Sequence, residues 1–329
     1  MYIPILKTRI SEMNVAKELN YCFSDKIIPM FEVINKQSDI KTIVDILKGK
    51  KAFVDLFRFS IDKYGNKIDL SKSEYAWRLT ENIEFYVSEL KKIKNYNNLI
   101  PVISVKENLE IKKGDLTKLI EDLLDENESI ALRITDKYLE EYNDIFSKLR
   151  ITDYLMLDVG EQNLDSKFIE LDEFSNLEIL SKKILINCPR LHSLKNGDYK
   201  TGITDNIDTS SIEKINEYSL DGFGDYAGLR DCMPENQKGS NGRGNALALL
   251  YDYKINKFYS FMNEDKSKGM KGYKDLIPII LENRNSLDPN NDCPAFMKIS
   301  KIPCGNWSTW HNITARRYID QQYKRSQQI

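Results

Sequence analysis

The chain has 329 residues, 41% apolar, 30% charged and 10% aromatic, a soluble globular composition that excludes a collagenous, low-complexity or wholly disordered protein. Forty-eight Lys plus Arg against fifty Asp plus Glu leave a formal charge of -2, so no global basic field argues for duplex DNA, RNA or an anionic membrane, and nucleic acid would need a local patch. The longest apolar runs, such as Ile27 to Val33, fall far short of the roughly 20 residues of a membrane span, and the first residues show no secretory pattern, so the expected address is the cytoplasm.

Short β-branched or aromatic runs alternate with amphipathic helical stretches along the first two thirds of the chain. The strand runs are Ile3 to Lys7, Ile27 to Asn35, Ala52 to Phe59, Leu99 to Lys106, Ile130 to Thr135, Tyr154 to Gly160, Ile184 to Pro189 and Leu220 to Tyr226. Between them, Ser11, Ser38, Asp115 and Asp136 each stand as an N-cap before apolar residues at helical spacing, as in Ile40, Ile43, Val44 and Leu47. Strands this continuously apolar are covered on both faces, which predicts a parallel sheet. Eight such units predict a (β/α)8 TIM-like barrel over residues 1–228; a doubly wound open sheet is the rival built from the same parts.

Two connections are long, Ser60 to Leu70 and Arg190 to Tyr218, and both leave C-terminal strand ends, where barrels carry their functional loops. After a glycine-rich stretch, Gly228 to Asn245, the remaining chain reads as a hairpin over Ala246 to Phe261, a helix from about Tyr273 to Glu282, a strand-like Ala295 to Ile302 and a terminal helix from about Trp307. Residues 229–329 are therefore expected as an α+β elaboration packed on the barrel.

A charged residue inside an apolar strand must be paired or functional, because burying an isolated ion is strongly unfavourable. Reading the polar residue near each strand end gives Lys7, Glu32, Asp55, Lys106, Arg133, Asp158, Asn187 and Asp225. One reading is a structural ion-pair network capping the barrel. The other is a site for a phosphate-bearing ligand, with Lys7, Lys106 and Arg133 as anion contacts, Tyr226 and His192 beside them, and Glu32, Asp55, Asp158 and Asp225 holding Mg²⁺ or acting as acid and base. With only His192 and His311 in the chain, any metal would be oxygen-liganded. The five cysteines lack a C-x-x-C pair and read as free thiols, Cys188 as a core residue. Trp307 and Trp310, three apart on a helix, read as packing the tail onto the barrel.

The opening MYIPILKTRISEMNVAKEL, then KIIPMFEV, ALRIT, LMLDVG, GFGDYAGL and the closing GNWSTWHNIT resemble the phage-type beta-protein family. Cys188 stands where the family has an aromatic, and Ala315-Arg316-Arg317 where it has paired histidines. The resemblance implies a place in phage biology or anti-phage defence and names no reaction. The expected function is thus a phosphate-ligand site in such a conflict; the alternative is a non-catalytic module that recognises a phage or host protein.

Overall fold

The computed structural model describes residues 1–64, 68–234 and 244–328; part of the glycine-rich segment, 235–243, lies outside the described residues. Eight parallel strands close a barrel: β1 (Tyr2–Lys7), β2 (Met30–Val33), β3 (Ala52–Leu56), β4 (Leu99–Val105), β5 (Ala131–Thr135), β6 (Tyr154–Asp158), β7 (Lys182–Ile186) and, after an inserted β8 (Gly202–Thr204), β9 (Gly222–Asp225). β9 pairs with both β7 and β1, which leaves the barrel no edge. Helices lie between the strands, so the (β/α)8 reading holds and the open-sheet rival does not.

Strand side chains alternate between the barrel interior and the helical layer. Phe53 and Tyr154, from strands on opposite sides, meet inside with ring centroids 4.8 Å apart. Tyr2, Phe223 and Tyr318 meet outside, under the terminal helix. The wall is tight where β9 closes: a Cβ on Gly224 would sit 2.6 Å from Ile186 Cδ1 and 2.9 Å from the Ile3 carbonyl oxygen. Replacing Gly224 by Ala should therefore lower stability by about 1–3 kcal/mol, as overpacking does; an unchanged urea midpoint would contradict this closure.

Several elements differ from their sequence readings. The second strand is shorter, because Ile27 and Ser24 bond each other's backbone in a turn ahead of it. The stretch after Asp136 breaks into Asp136–Tyr138 and Asn143–Phe146; its apolar residues stay buried because Tyr138 and Tyr142 stack at 5.4 Å and Tyr142 bonds the Ile111 carbonyl. Ala295 to Ile302 is not a strand. A helix, Pro294–Ile299, forms there, with Pro294 in the first turn, where its missing N–H costs nothing.

The tail hairpin is β10 (Leu247–Asp252) and β11 (Lys257–Met262), and β11 pairs with β8 from the long loop after β7. The terminal helix Trp307–Ser326, capped by Asn306, ties this sheet to the barrel. Thr314 and Arg317 bond the Leu249 and Tyr251 carbonyls, Asn312 bonds the Ser11 carbonyl, and Tyr318 donates to Asp225 at 2.7 Å. Trp307 and Trp310 pack on Tyr273, Trp310 stacked at 4.6 Å, so they serve the tail's own core rather than the barrel face.

Candidate functional site

Register sets the site. Lys7 pairs with Glu32 and Glu32 with Asp55 across β1, β2 and β3, so three consecutive strands carry their charges at one level of the barrel interior. From the facing wall, Arg133 of β5 reaches across. Its Nη1 bonds Glu32 Oε1 at 2.8 Å and Asp55 Oδ2 at 3.0 Å, and its Nε and Nη2 bond Asp158 Oδ2 at 2.9 and 2.7 Å. Tyr226 accepts from Arg133 Nη2 and donates to Glu32 Oε1, and Ser104 donates to Asp55. Lys7 is bound by Glu32 and by Asp231 Oδ1 at 2.8 Å, and Asp231 Oδ2 takes Lys63 and Tyr64 at 2.8 Å each.

The mouth thus sets four cations against four carboxylates: Lys7, Lys63, Lys106 and Arg133 face Glu32, Asp55, Asp158 and Asp231. Burial alone would raise the Glu32 carboxyl, but Lys7 and Arg133 outweigh it and hold the group at about 2. Asp231 is likewise held well below the ordinary range against its burial by Lys7 and Lys63. Arg133 is buried yet still raised well above its ordinary value, because Asp158, Tyr226, Glu32 and Asp55 surround it. Lys106 is the exception. Burial lowers it to about 8, since Asp55 lies 4.0 Å away and its other close neighbour is the face of Phe57.

A pocket of about 440 Å³ opens over this half of the mouth, lined by Arg58 to Ser60, Asp62 to Tyr64, Lys106 to Leu109, Thr135 to Lys137, Asp158 to Gly160 and Gln162. The loops after β3, β4, β5 and β6 border it, so the loop after strand seven, expected as a border, is not one. Lys106, Asp158 and Lys63 reach this space, whereas Lys7, Glu32, Asp55, Arg133 and Tyr226 are sealed beneath or beside it. Glu32, Asp55 and Asp158 close on the guanidinium, and no group of three or more His, Cys, Asp or Glu among the described residues is arranged to hold a metal. The residues present do not fit the expected Mg²⁺; the cation at their centre is Arg133.

Two expected members stand elsewhere. Asp225 faces the outer layer, where it accepts from Tyr2, Tyr318 and the Ala227 N–H, because it neighbours Tyr226 in sequence and the two must take opposite faces. Burial raises Asp225 to about 6. His192 lies past β7 at the rim, its Nδ1 3.2 Å from Glu161 and its Nε2 3.8 Å from Cys232 Sγ; the Cys232 contact, against burial and with help from Glu161, raises it to about 9. Asn187 bonds the Gln162 carbonyl. Asp231, in a loop, and Lys63 and Tyr64, in the one-turn helix Ile61–Tyr64, are not among the residues the sequence singles out, since neither segment is long enough to show a period that reveals a facing direction.

These features define a (β/α)8 barrel protein whose C-terminal mouth is filled by a charge-compensated network beside a lysine-floored pocket. The family model described as Beta protein matches residues 2–324, and the chain belongs to that family. No curated protein matches it. No helix among the described residues is long and apolar enough to cross a membrane.

Proposed function

We propose that the chain binds a phosphate-bearing ligand, a nucleotide or a nucleic-acid end, in the pocket above β3 to β6, and that it does so within phage defence or phage–host conflict. Lys106 carries this reading. Among the described residues its ammonium has no hydrogen-bonded carboxylate, touches an aromatic face and borders open space, so an anionic group entering the pocket supplies the counter-charge it lacks. Lys63, half exposed at the same rim, adds a second cation. Glu32 and Asp55 are sealed in ion pairs with Arg133, so the reading is one of binding, with Lys106 as the contact. The conflict setting follows from the family resemblance.

The test is titration of a nucleoside monophosphate into the full chain. Lys106→Met should weaken binding on the order of 10- to 100-fold, the worth of a charge-assisted hydrogen bond. Wild-type affinity should fall as the pH passes about 8, where Lys106 gives up its proton. The stability sign runs the other way. A lysine lowered in the fold is held against its charge, so stability rises between about 8 and its ordinary 10.5, and Lys106→Met should be no less stable than wild type at pH 7. Equal affinity in the two proteins would remove the pocket from the function.

A further inference from the structure

Across the mouth from Lys106, the loops after β1, β7 and β9 bring three arginines together. Arg9 donates to the Cys232 carbonyl, and Arg230, two residues before Cys232, donates to the Leu194 carbonyl. Arg190 opens the loop that carries His192, whose imidazole meets Cys232 Sγ.

Among the described residues, little opposes this charge. Arg9 approaches Glu12 only to 3.8 Å, and that carboxylate already accepts the Lys7 N–H at 2.6 Å. Arg190 is 6% exposed, yet among the described residues it enters no ion pair, and the Nε atoms of Arg9, Arg190 and Arg230 are all buried without a hydrogen-bond partner. Burial and the like charge of Arg230 lower the Arg190 guanidinium from its ordinary value. Arg133, comparably buried in the same fold, shows the compensated case, with three carboxylates around it. With no such carboxylates bonded to it among the described residues, the arginine cluster is complementary to an added anion.

We propose that Arg9, Arg190 and Arg230 form the seat of a phosphoryl group, a phosphate monoester or diphosphate, held beside Cys232. Guanidinium forks match phosphoryl oxygens two at a time, and the loops after the seventh and eighth barrel strands are where barrels most often hold phosphate. The inference deepens the ligand reading above, on which its biological meaning rests: the phosphoryl group sits among the arginines, while the pocket over Lys106 takes another anionic or polar part of the same molecule.

Inorganic phosphate is the probe, titrated into the full chain while thermal unfolding and the rate of Cys232 alkylation by iodoacetamide are followed. Phosphate should raise the unfolding temperature and slow alkylation. Arg190→Met should unfold no lower than wild type without phosphate, because an uncompensated buried charge is gone, and should lose both responses. Arg230→Gln, at a partly exposed position, keeps the fold and should weaken phosphate about tenfold or more. Lys106→Met should keep the phosphate responses, so a failure of the pocket reading is distinguishable from a failure of the seat. A wild-type chain indifferent to phosphate at tens of millimolar, or responses that survive in both arginine variants, overturns the proposal.

Discussion

Replacing Arg133 by Met should cost about 3–5 kcal/mol of unfolding free energy at pH 7, the loss expected when one partner of a buried ion network is removed. Glu32, Asp55 and Asp158 all converge on this guanidinium, and no other cation bonds Asp158 among the described residues. Glu32 and Asp55 would be left crowded in a sealed interior, with Asp158 unpaired beside them at the pocket. Arg133→Lys should lose less, since it keeps the charge, yet one ammonium cannot serve Glu32, Asp55, Asp158 and Tyr226 from the positions of a planar fork. The pH dependence separates charge from shape. In the wild type Glu32 is held at about 2, so its contribution is fully present above its unfolded value near ~4.3 and is lost only as the pH falls toward 2. Between pH 7 and 5 that contribution is flat. In Arg133→Met the crowded carboxylates bind protons more readily than they do unfolded, so stability should rise as the pH falls through the same interval. Urea unfolding at pH 7, 6 and 5 checks both; a loss under about 1 kcal/mol with no divergence in pH would show that the network does not hold the barrel together.

The six charges of this mouth that sequence could reveal share one property: Lys7, Glu32, Asp55, Lys106, Arg133 and Asp158 interrupt or end strand runs that are otherwise apolar. Burial of such a residue without a partner is so unfavourable that the sequence pattern alone places them together. What the pattern does not carry is the degree of compensation. A carboxylate bonded to an arginine and a carboxylate open to a ligand look alike in sequence, and here Glu32 and Asp55 are of the first kind. Period two also has to be applied residue by residue. Asp225 and Tyr226 are adjacent, so only one could face the mouth, and the Tyr226 hydroxyl does so while Asp225 serves Tyr2 and Tyr318 outside. Residues outside the strands lie beyond this logic. Asp231, Lys63 and Tyr64 meet because β3 and β9 end at the same face, a fact of closure, not of local sequence.

Closure also explains why a single loop carboxylate should matter greatly. Asp231 is 3% exposed and bonds Lys7, Lys63 and Tyr64 at 2.8 Å each, so it fastens the segment after β9 to the short helix Ile61–Tyr64 across the top of the barrel. Asp231→Asn keeps the shape and removes the charge. Lys7 then shares Glu32 with Arg133, Lys63 turns to solvent from its half-exposed position, and both lysines lose the carboxylate that bridged them. The expected loss is about 3–4 kcal/mol at pH 7, within the range for uncoupling a buried pair. The sign of its pH dependence follows from the depressed carboxyl. Asp231 stabilises fully above its unfolded value near ~3.9, and that stability is lost as the pH falls below it, so the gap between wild type and Asp231→Asn should narrow toward pH 2.5. Urea midpoints from pH 7 to 2.5 measure the gap. Tryptic cleavage after Lys63 reports the other consequence: with its charged anchor gone, the helix Ile61–Tyr64 is held through the packing of Tyr64 against Phe57, Phe59 and their apolar neighbours, and cutting should accelerate. A gap that stays constant down to pH 2.5, with cleavage unchanged, would mean that Asp231 acts through packing and that the charge bridge across the mouth is not what fastens it.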